Sequence, residues 1–491
     1  MKALRNSACL PMLILGSILI SSCGGGSARN FISTPVLSVS VSPASASIPP
    51  GGTQTLTATV TNDSASGGVN WSVSCSGSSC GAVSPTKTSS GTKTTYTAPT
   101  SISGSSLSVT VTASSATRPS VSSSAAITVK TGLPVVLPVG NVQLGSTETC
   151  PSGMNFATGM TCYSGTVTNC PNAEDLGFVL GYQTPGTTPN GTIVLLPGAG
   201  GQVAGPGHEN AYAADYRSAG YAIVELAWDS DWEDATNGMT GSGVPAHNIQ
   251  AAACRPATIL NYIFTQNSPF YTSGGRCAQG FSGGSGAIGY ALASYGADAY
   301  LDKVELQSGP VFGDIQQGCE VPPAPNVNVC TDSSGSAAAW CKLGSQAPWS
   351  DSPAYIDSPL LSVQSWTGDS SCGGASPTSS ASNASWKAMS IVDGTSGPNF
   401  DYSNTLVTGW LCASVASGSG SMNNSTAQGQ FFYEQVGATS TSLTVYAVQN
   451  CNGPEGVDVG TVPALSNGTE TGYNATLADM SSGTNACHKT H

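Results

Sequence analysis

The sequence predicts an α/β domain, a mainly parallel sheet covered by helices, preceded by an all-β sandwich. Three observations predict it. From about residue 150 onwards, short apolar runs of strand character alternate with runs of helical spacing. Between 36 and 130 the chain instead shows only period-two runs bounded by Gly, Pro, Ser or Asn. And Gly280-Phe281-Ser282-Gly283-Gly284 sits between an apolar strand-like run and a helical one.

The chain has 491 residues, of which 39% are hydrophobic, enough for more than one core. Only 8% are charged and the net charge is −13, so solubility rests on Ser, Thr, Asn and Gly. Fourteen basic residues that form no run exclude nucleic acid as a partner, because phosphate binding needs clustered Lys and Arg.

Residues 1–22 read as a signal peptide. Lys2 and Arg5 precede an apolar stretch at 8–20 that is short for a bilayer span. Ile20-Ser21-Ser22-Cys23 resembles a bacterial lipobox, which implies that Cys23 becomes a lipidated N-terminus anchored in the cell envelope outside the cytoplasm. Gly24, rather than Asp, favours the outer membrane or cell surface. Residues 23–35 are a small-residue linker. Removing Cys9 and lipidating Cys23 leaves fourteen of the sixteen cysteines, an even number that suits disulfides in an oxidising compartment. No CxxC or HxxxH pair suggests a metal.

Over 36–130 the runs 37–41, 53–60, 69–73, 94–97, 107–112 and 125–129 predict a sandwich. The VNWSV run at 69–73, the TYTAP run at 95–99 and the closing AITVK at 126–130 resemble bacterial immunoglobulin-like domains, a likeness that speaks to fold and hardly to function: the module reads as a spacer holding the next domain away from the membrane, with a carbohydrate- or adhesion-binding role as the alternative. Residues 135–491 form the second domain, with strand-like runs at 192–196, 221–227, 277–281, 304–306, 406–411 and 443–448. Pro256 opens a helical run through Phe264.

A serine on a sharp strand-to-helix turn needs small residues two places either side so that strand and helix can pack; Gly280 and Gly284 supply them. Ala287, Ile288, Ala291 and Leu292 continue at helical spacing. The helix start then directs free N–H groups at an oxyanion. Ser285 offers a second Gly-x-Ser register but leaves no room for a strand before it. Upstream, Leu195-Leu196-Pro197-Gly198-Ala199-Gly200-Gly201 follows an apolar run, and its glycines let backbone N–H groups approach a substrate oxygen.

With these motifs, residues 175–490 resemble the α/β-hydrolase superfamily. The resemblance implies a serine esterase or lipase-like enzyme acting on a small or polymeric extracellular ester without a cofactor. It assigns Ser282 as nucleophile, with Gly283, Gly200 and Gly201 as oxyanion donors. It also implies an acid after the seventh strand and a histidine after the last. Here the sequence departs. The loop after 443–448 has no histidine, with Asn452 in a plausible slot, and His488 is the candidate base by chain order; His208 and His247 precede the nucleophile. If 389–392 is the seventh strand, Asp393 or Asp401 is the acid, and Asp401 is taken as the candidate; if 406–411 is, the following loop holds no carboxylate. Glu455 is a further possibility. The alternative is a non-catalytic binding or structural lipoprotein whose relay has decayed on a hydrolase scaffold.

Overall fold

The structure is a computed structural model. It describes residues 36–488 except 78, 103–105, 131–135, 206–210, 234–248, 267, 320–326, 333, 346, 353–385, 394–397, 418–423, 453–455, 466–469 and 484–485. Cys23, His208, His247, Glu455 and His491 lie outside the described residues.

The first nine strands are β1 (Ser38–Ser42), β2 (Ser45–Ile48), β3 (Thr53–Thr61), β4 (Val69–Cys75), β5 (Ala82–Ser84), β6 (Lys87–Thr88), β7 (Lys93–Thr97), β8 (Ser106–Ser115) and β9 (Ser122–Lys130). They make two sheets, ordered β1-β3-β7-β5 and β2-β9-β8-β4-β6. The alternation is what separates core from solvent. In β8, Leu107, Val109, Val111 and Ala113 turn inward to meet Leu56, Ala58 and Tyr96 of the other sheet, and the polar residues between them turn out. The two buried aromatic residues satisfy their polar tips: Trp71 Nε1 donates to Thr88 Oγ1 (2.9 Å) and the Tyr96 hydroxyl to the Cys80 carbonyl (2.8 Å).

The second region is built on one mixed sheet. Its strands are β10 (Asn141–Glu148), β11 (Thr161–Thr168), β12 (Leu176–Gln183), β13 (Gly191–Leu196), β14 (Ala222–Trp228), β15 (Gly275–Phe281) and β16 (Lys303–Gln307). A short pair, β17 (Val327–Val329) and β19 (Trp349–Ser352), stands apart from it, while β18 (Cys341–Lys342), β20 (Leu406–Cys412) and β21 (Leu443–Val448) complete it. The order is β10-β11-β12-β14-β13-β15-β16-β20-β21-β18, antiparallel through the β12–β14 pair and parallel from β14 onward. All residues of β13 and β14 are buried, as parallel strands covered on both faces require.

Side-chain alternation assigns the two faces. Val194, Leu196, Val224 and Leu226 pack against α3 (Cys254–Thr265) and α4 (Gly283–Tyr295). Ile193, Leu195 and Ile223 pack against α1 (Ala211–Ser218). The other helices are α2 (Ile249–Ala252), α5 (Ile315–Cys319), α6 (Asn424–Thr439) and α7 (Gly472–Ser481), the last joining α1 on its face. Pro256 falls third in α3, still in the first turn, where its missing N–H has no helical partner to lose. Counted from β11 along the chain, and leaving aside the two-residue edge strand β18 and the separate β17–β19 pair, β13 is third, β20 seventh and β21 eighth. The seventh strand is thus Leu406–Cys412. Residues 386–389 are helical and Met389–Val392 contributes no strand, which corrects that reading of the sequence.

Among the described residues six disulfides join Cys75–Cys80, Cys150–Cys162, Cys170–Cys254, Cys277–Cys487, Cys330–Cys341 and Cys412–Cys451.

Glu225, in the middle of β14, is a buried carboxyl on the α1 face. Its Oε2 accepts the Ala157 N–H (2.8 Å). Burial pushes its pKa up to about 7, partly opposed by that hydrogen bond. Between the usual carboxylate value and about 7 the folded chain holds a proton that the unfolded chain has released, so stability falls as pH rises through that window. Glu225→Gln keeps an acceptor for Ala157 and removes the titration. The variant is expected to match the native protein at pH 4.5 and to exceed it at pH 8 by on the order of 3 kcal/mol. Thermal melts of both proteins at the two pH values check this, and parallel pH dependence would contradict it.

Candidate active site

Ser282 stands between β15 and α4 with φ 49° and ψ −114°, a backbone conformation that a side-chain-bearing residue adopts at a cost of about 1–3 kcal/mol. The surroundings hold it there. Its N–H donates to the Gln307 carbonyl at the end of β16 (2.9 Å), and its carbonyl accepts from Gly286 N–H (3.1 Å) and the Ser285 hydroxyl (2.6 Å). Ser285 is therefore a buried structural hydroxyl bracing the turn. The Ser282 side chain makes no capping bond to α4.

The glycines are required by contact. A Cβ on Gly280 would lie 2.4 Å from the Gly284 carbonyl oxygen, and one on Gly284 would lie 2.3 Å from that of Leu196. The loop after β13 presses on the elbow: a Cβ on Gly283 would stand 2.3 Å from the Ala199 carbonyl oxygen, and one on Gly198 would meet the Phe281 ring at 2.7 Å. The same loop is fastened to the end of β14, where Trp228 N–H donates to Gly201 O (2.9 Å) and Trp232 N–H to Gly200 O (3.0 Å).

The structure thus brings Ser282, Gly283, Gly200 and Gly201 together at the C-terminal ends of the strands. Gly283 begins α4, whose first N–H groups have no helical acceptor and carry the positive end of the helix dipole. Gly201 differs from its sequence assignment: its N–H donates to the Gly198 carbonyl (3.2 Å), closing the turn, and is spent there.

His488 and Asp401 are not brought to this group. Cys487 is bonded to Cys277, and its carbonyl oxygen would lie 2.6 Å from a Cβ on Gly275. Gly275 and Cys277 open β15, whereas Ser282 follows its last residue, about 17 Å further along at roughly 3.3 Å per residue. The exposed His488 stands at that far end because α7 carries the chain back across the sheet after β21. Asp401 is exposed and precedes β20. Its N–H donates to Asn399 Oδ1 (3.0 Å), and Asn399 N–H donates to the carbonyl of Ala293, near the C-terminal end of α4, ten residues or about 15 Å from Gly283. Asp393 pairs instead with Lys387 (3.6 Å).

The loops after β20 and β21, where the resemblance implies the acid and the histidine, are tied to each other. Cys412 is bonded to Cys451, Cys451 N–H donates to Ser414 O (2.9 Å), and Ala416 N–H donates to Cys451 O (2.9 Å). Asn452 N–H closes a local turn onto Gly456 O (3.3 Å).

One buried carboxylate does adjoin the elbow, and sequence reasoning missed it. Glu233 Oε1 is 2.7 Å from where a Gly283 Cβ would be. Burial holds the Tyr290 phenol on α4 well above its ordinary pKa, and the nearby Glu233 charge adds to that. Asp231 lies beside Gly200, its Oδ1 accepting from Gln202 Nε2 (2.8 Å). The available signal was Asp229-Ser230-Asp231-Trp232-Glu233 directly after a parallel strand, the edge where α/β sheets gather their ligands.

No family model and no curated protein sequence matches the chain. Among solved structures it is similar to a glucuronoyl esterase from Solibacter usitatus at 10% identity, covering 70% of this chain and 86% of that one with a TM-score of 0.33. It is also similar to a brefeldin A esterase, a bacterial homologue of human hormone sensitive lipase, at 12% identity, covering 71% and 78% with a TM-score of 0.31. A candidate thioesterase from Silicibacter sp. shares 13% identity over 57% and 77%, with a TM-score of 0.31. Likenesses this distant carry no argument about chemistry. The features this chain itself supplies are its sheet order, the glycine loop after β13 and the elbow where β15 meets α4.

Proposed function

We propose that the chain is a serine hydrolase that cleaves an ester or related acyl bond, with Ser282 as nucleophile. The observation that carries this reading is the strained backbone of Ser282 at the head of α4, because strain of this kind gathers at functional sites. Ser282 Oγ attacks the carbonyl carbon, a base takes its proton, and the oxyanion lies against the Gly283 N–H with the Gly198–Gly200 backbone beside it. His488 is too far to be that base. The second reading, a binding protein on a hydrolase scaffold, is favoured by the stapled loops after β20 and β21. Release of p-nitrophenol from short-chain p-nitrophenyl esters tests between them. Turnover supports the enzyme; a folded protein with none supports the scaffold. His208→Ala and His247→Ala variants belong in the same assay.

The reading places the enzyme outside the cytoplasm, anchored through lipid on Cys23, with residues 36–130 as a spacer. Mass spectrometry of the mature protein is expected to find an N-terminal diacylglyceryl cysteine at Cys23. A mature terminus elsewhere, without lipid, would overturn that part.

A further inference from the structure

Resting on Ser282 as nucleophile, we propose that Glu233 is the carboxylate that balances the positive charge formed when the base takes the Ser282 proton. The Glu233 side chain is buried and reaches the first residue of α4, the residue whose N–H faces the oxyanion. Its segment is held on two sides. Trp232 N–H is bonded to Gly200 O (3.0 Å), and Trp232 O accepts from Arg255 Nη1 (2.9 Å). Arg255 is itself buried in α3, with Nε and Nη2 both on the Glu174 carbonyl (3.1 and 3.0 Å). Oxyanion loop, Trp232-Glu233 and α3 are thus one fastened unit.

Charge gives the second step. A carboxylate beside an oxyanion hole opposes the oxyanion unless a cation forms with it, and a protonated base is such a cation. The loop after β20, the usual source of that carboxylate by the resemblance, contains none through Gly429.

The reaction balances without further reagents. Ser282 Oγ bonds to the carbonyl carbon, its proton passes to the base, and the carbonyl π pair moves to the oxygen. When the pair returns, the bond to the leaving oxygen breaks and that oxygen takes the proton. Water repeats the sequence on the acyl-serine and frees a carboxylic acid. Glu233 exchanges no proton; it is a positioning residue that acts through the base.

The test uses the full chain carrying Glu233→Gln, with Glu233→Asp as the second variant. Glu233→Gln is expected to lower kcat at least about 100-fold with little change in KM. The acid limb of the kcat/KM profile should move to lower pH, because a base that loses its anionic neighbour gives up its proton more readily. Glu233→Asp, which keeps the charge, should keep the native pH limb with a smaller loss of kcat. A folded Glu233→Gln with native kcat and pH profile, in an assay where Ser282→Ala is inactive, overturns the assignment and leaves the nucleophile standing. If only Glu233→Asp folds, an acid limb displaced to lower pH in that variant, which keeps the charge, overturns it. An active Ser282→Ala overturns the nucleophile reading and Glu233 with it.

Discussion

Replacing Ser282 with alanine is expected to reduce ester turnover by about 10⁴-fold or more without loss of fold. The expectation follows from two separable properties of the position. The backbone conformation is imposed by bonds that alanine also makes, from its N–H to Gln307 O and from Gly286 N–H to its carbonyl, so the elbow should persist. The hydroxyl is the only part removed, and a nucleophile has no substitute among groups that act as a unit. His488→Ala is the matched contrast: an exposed side chain at the start of β15 should change turnover by less than about threefold. Progress curves with a p-nitrophenyl ester, on samples with coincident thermal melts, check both. Equal losses in the two variants would return His488 to the site and contradict the placement of α7.

Gly284→Ala is expected to damage both activity and fold. A single methyl there would lie 2.3 Å from Leu196 O and 2.6 Å from Pro197 O, and both are backbone atoms that cannot swing aside. Either α4 lifts from the sheet or the oxyanion loop moves. Overpacking of this kind costs about 1–3 kcal/mol. A displacement of about 1 Å at reacting groups can cost a further factor of about 100 in rate. Gly153→Ala is the control, since a Cβ there meets nothing within 4 Å and its φ is not left-handed. Denaturant titration and turnover should show Gly284→Ala impaired in both and Gly153→Ala in neither. A native-like Gly284→Ala would mean that the elbow is looser than these contacts allow.

These residues also show what the sequence could convey. The elbow was legible because its constraints are local: a strand, two glycines and a helix follow one another within residues 275–295, and each demands a recognisable type. The strands at 192–196, 277–281 and 443–448 were legible for the same reason, as buried apolar runs. Asp401 and His488 failed on a different count. Chain order says which element a residue follows, but only topology says at which end of the sheet it emerges, and both emerge at the N-terminal ends of the strands. Cys487 invited the error, since its partner lies on the elbow strand, yet Cys277 is at that strand's opposite end. Residues 389–392 are as apolar as 406–411, and only the pairing of Leu406–Cys412 with β16 and β21 separates them. Glu233 was missed because its meeting with Gly283 spans fifty residues and obeys no periodicity.

The central claim is that Ser282 is an activated nucleophile, and covalent capture tests it most directly. The intact protein is incubated with a fluorophosphonate, digested, and the adduct located by tandem mass spectrometry. The account predicts one stoichiometric adduct on Ser282, absent from Ser282→Ala and retained in His488→Ala. A folded, disulfide-bonded protein that takes up no fluorophosphonate, or takes it up on another residue, would contradict it.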